Sequence, residues 1–200
     1  NPSHPCPPVI NIHVGRYAML VLSLFAACDA PPSDSYPSTA ILPETTARQI
    51  INDILANPAK TTLGLGDREV TDQDLLLLAN NNHINSIIID NSVLSENGLA
   101  PLPSMGNLIQ LRIRSPLTDT AIPLILNMKS LRYLNLPRAD FTDTGIKSLS
   151  AHPNIELLRI GSKRLSNKSL ESIATMSSLS FLHLIAVPID DQGLPSLYGM

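Results

Sequence analysis

The residues Leu63, Ile87, Leu111, Leu134, Leu158 and Leu182 follow one another at spacings of 24, 24, 23, 24 and 24. A fixed period of this size means that one supersecondary unit is copied along the chain and buries its apolar face only against its neighbours. Each of these residues sits inside a pattern L-x-x-L-x-L: INSIII at 84–89, LIQLRI at 108–113, LRYLNL at 131–136, IELLRI at 155–160 and LSFLHL at 179–184. KTTLGL at 60–65 is a weaker first copy, with Lys60 where Leu is expected. The L-x-L alternation reads as a short strand with one buried face.

The second half of each unit repeats as well: VTDQDLLLL from Val70, LSENGLAPL from Leu94, LTDTAIPLI from Leu117, FTDTGIKSL from Phe141, LSNKSLESI from Leu165 and IDDQGLPSL from Ile189. A Thr, Ser or Asp suited to an N-cap is followed, in most copies, by an acid suited to the positive end of a helix, then by apolar residues three apart. Each unit therefore predicts strand, turn, capped helix, turn. The single 23-residue spacing has a visible cause. Leu117 comes four residues after Ile113 where the other units have five, so the deletion falls in a turn and leaves strand faces in register. Ile51 and Ile54 lie 24 residues before Leu75 and Leu78, which makes 44–56 the helix of a strandless first unit covering the open end of the core.

The six copies of L-x-x-L-x-L joined to a T-D-x-G-L-like segment resemble the leucine-rich-repeat family, in its bacterial form of about 24 residues, over residues 44–200. The resemblance implies an α/β solenoid, a horseshoe with a parallel sheet on its concave face and helices on its convex face. It places a capping helix at 44–59 and six repeats at 60–200, with no C-terminal cap and an exposed edge on the Leu182 strand. That edge is expected to be continued by further chain or to pair with another copy. The family's Asn ladder is absent: its places hold Arg68, Ser92, Pro116, Ala139, Lys163 and Val187, so the turns must be bonded in another way.

Residues between the strand leucines alternate to the concave face. One row is Thr62, Ser86, Gln110, Tyr133, Leu157, Phe181; the next is Gly64, Ile88, Arg112, Asn135, Arg159, His183; a third is Gly66, Asp90, Arg114, Pro137, Gly161, Ile185. Six strands at about 4.8 Å make a face roughly 24 Å across. Gln110, Arg112, Arg114, Tyr133, Asn135, Arg159, Phe181 and His183 are the candidate binding residues, because Tyr and Arg are favoured anchors in interfaces. The alternative is a solvated sheet face whose charges have no ligand.

The acidic row Asp72, Glu96, Asp119, Asp143 and Asp191 has the periodicity of a cation ladder, but helix capping explains it without metal, and Asn167 interrupts it. The five His have no ligand spacing, and no nucleophile elbow, phosphate loop or H-E-x-x-H motif occurs. No catalytic residue, cofactor or metal site is expected, and the chain reads as a binder and not an enzyme. With a net charge of −3, no Trp, three Phe and four Tyr, it has neither the basic balance nor the stacking surface of a nucleic-acid binder.

The N-terminal part is of another kind. YAMLVLSLFAA at 17–27 is an uncharged run preceded by Arg16, too short to span a bilayer as a helix but suited to a secretory signal. Phe25-Ala26-Ala27-Cys28 resembles the lipobox of bacterial lipoproteins, which implies lipidation of Cys28 and attachment to the cell envelope. A plain cleaved signal, with a secreted product, and a buried apolar segment are the alternatives. In some Gram-negative lipoproteins an Asp at the place of Asp29 goes with inner-membrane retention. Residues 1–28 form the signal segment, with its start uncertain, and 29–43, rich in Pro and Ser, form a tether. Cys6 has no assigned role. The function expected is a protein-binding module tethered to the envelope. The alternatives are the recognition arm of a larger, enzymatic protein and a structural or assembly role.

Overall fold

The structure, a computed structural model, describes residues 9–13, 45–90 and 92–199. Six strands, β2 (Thr62–Gly66), β3 (Ser86–Ile89), β4 (Gln110–Ile113), β5 (Tyr133–Leu136), β6 (Leu157–Ile160) and β7 (Phe181–Ile185), lie side by side in chain order and pair in parallel. The return paths carry the helices α2 (Asp72–Leu75), α3 (Glu96–Leu99), α4 (Ile122–Asn127), α5 (Asp143–Leu149) and α6 (Asn167–Ile173). This is the α/β solenoid horseshoe. The order of these six strands equals their sequence order because each meets in register the strand one period away.

The core is a column of repeated layers. Leu63, Ile87, Leu111, Leu134, Leu158 and Leu182 are all buried, as are Leu65, Ile89, Ile113, Leu136, Ile160 and Leu184. From the helical side come Leu75, Leu99, Ile122, Ile146 and Leu170 in one file and Leu78, Leu102, Ile125, Leu149 and Ile173 in another. The 23-residue unit keeps this register: Gln110 pairs with Tyr133 and Leu111 with Leu134, so the missing residue is absorbed outside the strands. At the N-terminal end α1 (Ala47–Leu55) lays Ile51 and Ile54 over the first layer. Its start is fixed by a reciprocal cap, in which the Gln49 amide donates to Thr46 Oγ1 and the Thr46 amide to Gln49 Oε1.

The helices are shorter than the repeat pattern predicts. α2 and α3 have four residues each and tighten into 3₁₀ turns at Leu76–Leu78 and Leu102–Ser104. In the second unit Pro101 and Pro103 withhold the amides that a continued α-helix would use, and Pro195 does the same in the last unit, which has only a 3₁₀ turn at Leu194–Leu197.

The expectation of an exposed edge on the Leu182 strand is corrected. A seventh strand, β1 (Val9–His13), pairs antiparallel with β7, from Val9 opposite Ile185 to His13 opposite Phe181. It supplies backbone partners to an edge that would otherwise be left unpaired. A five-residue strand is too short for its alternation to stand out in the sequence. The apolar run 17–27, Cys28 and the stretch 29–43 lie outside the described residues. Among the described residues no helix is long and apolar enough to cross a membrane.

Candidate functional site on the concave face

Strand register brings the candidate residues together. Gln110, Tyr133, Leu157 and Phe181 stand opposite one another on successive strands, and so do Arg112, Asn135, Arg159 and His183. Arg114 follows β4 at the end of the same face. Tyr133 is 39% exposed and Phe181 45%, with half-buried Leu157 between them, so an apolar shelf runs beside a polar row.

The polar row is unevenly balanced. Arg112 Nη2 lies 2.6 Å from Asp90 Oδ1 and Arg114 Nε 3.8 Å from the same oxygen, so one carboxylate serves two guanidinium groups. Arg159 has no carboxylate partner among the described residues. Burial, together with the charges of Arg112 and Arg114, draws its guanidinium below its ordinary value, although Arg stays charged at any physiological pH. Burial and the neighbouring Arg159 likewise hold the His183 imidazole below its ordinary value, which favours its neutral form. Arg112 Nε, Asn135 Oδ1, Arg159 Nε and His183 Nε2 are withdrawn from solvent and have no hydrogen-bond partner among the described residues. Polar atoms withdrawn from water in this way are ordinarily satisfied, and leaving one without a partner costs about 1–3 kcal/mol. Asp90 was placed in the third row by spacing, but its role as the counter-charge of Arg112 and Arg114 was not foreseen; the signal was its place two residues beyond Ile88, just past the end of β3, the strand next to β4.

The acidic row on the opposite side of the turns has a different job. These side chains reach forward to the next unit. Asp72 accepts from the Ser95 amide (3.0 Å) and hydroxyl (2.5 Å), Asp119 from the Thr142 amide (2.9 Å) and hydroxyl (2.5 Å), and Asp143 from the Ser166 amide (2.8 Å) and hydroxyl (2.5 Å). Glu96 accepts from the Thr118 hydroxyl at 2.7 Å, and hydrogen bonds from Thr120 and Thr118 lower its carboxyl to about 2. Asn167 takes the same place by accepting from the Asp190 amide and donating to the Asp190 carboxylate. The acids sit in the first turns of their own helices, as capping requires, and Ser95, Thr142 and Ser166 cap within their units. The row in addition fastens each N-cap to the preceding turn, a bond between units that spacing had not shown.

This explains the glycine of T-D-x-G. A Cβ on Gly98 would stand 2.5 Å from Asp72 Oδ1, one on Gly193 2.5 Å from Asn167 Oδ1, and one on Gly145 2.5 Å from Asp119 Cγ. The first repeat exchanges both roles. Arg48 of α1 falls 24 residues before Asp72, in the acid column, and Asp74 stands in the glycine column. The two meet at 3.1 Å. The turns that lack the Asn ladder are bonded by buried Ser115, which donates to Ser92 O, and by Ser162, which donates to Phe141 O.

His83 and His152 are structural, in agreement with their place in helix-to-strand turns. His152 Nε2 donates to Met128 O at 3.1 Å while Nδ1 accepts from the Asn154 amide at 3.3 Å, which fixes the neutral tautomer. His83 Nε2 lies 3.0 Å from Ile54 O.

No family model and no curated protein matches the chain. Among solved structures it is similar to the crystal structure of an internalin (inlF) from Listeria monocytogenes, with a TM-score of 0.51 and 23% identity. The match covers 70% of this chain and 38% of that one. The likeness is one of fold: this chain spans little more than a third of that internalin and shares its curved architecture of stacked strand-and-helix turns.

Proposed function

We propose that the chain is a protein-binding leucine-rich-repeat module that receives its partner on the concave face. One observation carries this reading: buried polar atoms with no hydrogen-bond partner among the described residues lie in a single row beside the exposed Tyr133 and Phe181. A sheet face with no ligand would leave its Arg and His side chains in water or pair them within the face. The acids of the opposite side, by contrast, are occupied in holding turns together. The test compares crosslinking and pull-down from the native organism for the wild-type chain and for a variant with Arg112→Ala, Arg159→Ala and Tyr133→Ala. Loss of a specific partner in the variant supports the reading; unchanged capture places the site elsewhere.

The location proposed is the cell envelope, through lipidation of Cys28, on the resemblance of 25–28 to a lipobox. Radiolabelled palmitate incorporation that disappears in Cys28→Ala tests it. Cleavage before Cys28 would also remove Val9–His13 from the mature chain and uncover β7. The mass of the native protein's N-terminal peptide therefore decides between an anchored module and one that keeps β1.

A further inference from the structure

We propose that Arg159 is a carboxylate-recognition point, so that the partner presents an extended acidic segment whose Asp or Glu sits between Asn135 and His183 while flanking apolar side chains rest on Tyr133, Leu157 and Phe181. This rests on the concave face being the binding face, and it adds the chemistry of what binds there.

The charge distribution supplies the argument. The chain as a whole carries −3. Its three concave rows carry Arg112, Arg114 and Arg159 against the single acid Asp90, so this face is opposite in sign to the rest of the molecule. Asp90 is committed to the two arginines at the β3–β4 side. Arg159 lies two strands away from β4 and is the cation of this face with no carboxylate partner among the described residues. Its neighbours in register are Asn135, whose amide Nδ2 can donate to an anion, and His183, an imidazole whose ring N–H can do the same. A guanidinium flanked by donors suits a planar carboxylate, which it can grip with two parallel bonds. The adjoining shelf fixes the rest of the partner. Leu157 lies two residues before Arg159 on β6, with Tyr133 and Phe181 in register on either side, so an apolar surface lies within one side-chain spacing of the charge. On this face one cation without a carboxylate partner among the described residues matches one carboxylate. A nucleic-acid strand, with a phosphate at every residue, would need a track of free cations, and among the described residues of this face Arg112 and Arg114 are already paired with Asp90.

The experiment uses the full chain and an array of heptapeptides with Leu at the third and fifth positions and either Glu or Gln at the fourth, beside a single-stranded oligonucleotide. Wild type, Arg159→Gln, Arg112→Gln and the double variant Tyr133→Ala/Phe181→Ala are compared, with thermal melting as a check on folding. The Glu peptides are expected to be retained about ten-fold more strongly than their Gln counterparts, as for a charge-assisted pair. That preference should vanish in Arg159→Gln and persist in Arg112→Gln. Equal retention of Glu and Gln, or a preference that survives Arg159→Gln, overturns the proposal. If in that case retention is still lost in the double variant, the concave-face reading stands without it. Retention of neither peptide class, or of the oligonucleotide in their place, overturns the proposal as well.

Discussion

Replacing Gly145 by Ala should destabilise this solenoid, although the same change at most helix positions stabilises. Alanine is favoured over glycine within a helix by about 1 kcal/mol. Against that stands the seam between the third and fourth units. A methyl at Gly145 would lie 2.5 Å from Asp119 Cγ and 2.9 Å from Ile122 Cδ1, inside van der Waals contact with both. The Asp119 carboxylate must then swing away and release the Thr142 amide and hydroxyl. Hydrogen bonds to a charged acceptor contribute about 1.5–3 kcal/mol each, and water at this half-buried seam recovers part of the loss. Subtracting the propensity gain leaves a net destabilisation of about 2 kcal/mol. Urea unfolding followed by circular dichroism measures it, and a double-mutant cycle with Asp119→Ala isolates its cause. In the Asp119→Ala background only the flexible end of Ile122 remains close and can turn aside, and Gly145→Ala should then be neutral or stabilising. The fifth unit shows how the reasoning could fail. Ser169 stands in the glycine column opposite Asp143, yet the bonds from Ser166 to Asp143 remain intact. If Gly145→Ala is as stable as wild type, or if its effect is the same with and without Asp119, the seam relaxes as the fifth unit's does, and the proposed reason for the glycine is refuted.

Two further outcomes are expected. His152 occupies a buried column otherwise held by Met105, Met128 and Met176. Burial pushes its imidazole below the ordinary value of 6.5, with the charge of Lys129 adding to this against the opposing pull of the Met128 carbonyl. The unfolded chain therefore binds the proton first, and stability should be full above about pH 6.5 and decline as the pH falls. His152→Met should remove that part of the decline, with a change at neutral pH of no more than about 1 kcal/mol; unfolding midpoints at pH 5 and 7.5 check both statements. Ala186, just past β7, has φ 50°, in the left-handed region that disfavours a Cβ. Ala186→Gly should raise the thermal midpoint by relieving about 1 kcal/mol of strain, and an unchanged or lower midpoint would show that the turn tolerates Ala.

The repeat, its strand faces and the core column were legible in the sequence because period and alternation are local properties: Leu111 and Leu134 must share a layer wherever the turn between them lies. The concave rows were legible for the same reason, since register follows from the period. What the face does with its charges was not. That Asp90 serves Arg112 and Arg114 while Arg159 has no carboxylate partner among the described residues depends on distances across strands, which spacing leaves open. The pairing of Arg48 with Asp74, and the fit of Gly145 against Asp119, likewise arise only when turns stack, because each joins residues 26 positions apart through side-chain geometry. The antiparallel placement of Val9–His13 on β7 lies beyond any periodic signal, since it joins ends of the chain that share no repeat and is decided by an unpaired row of backbone groups.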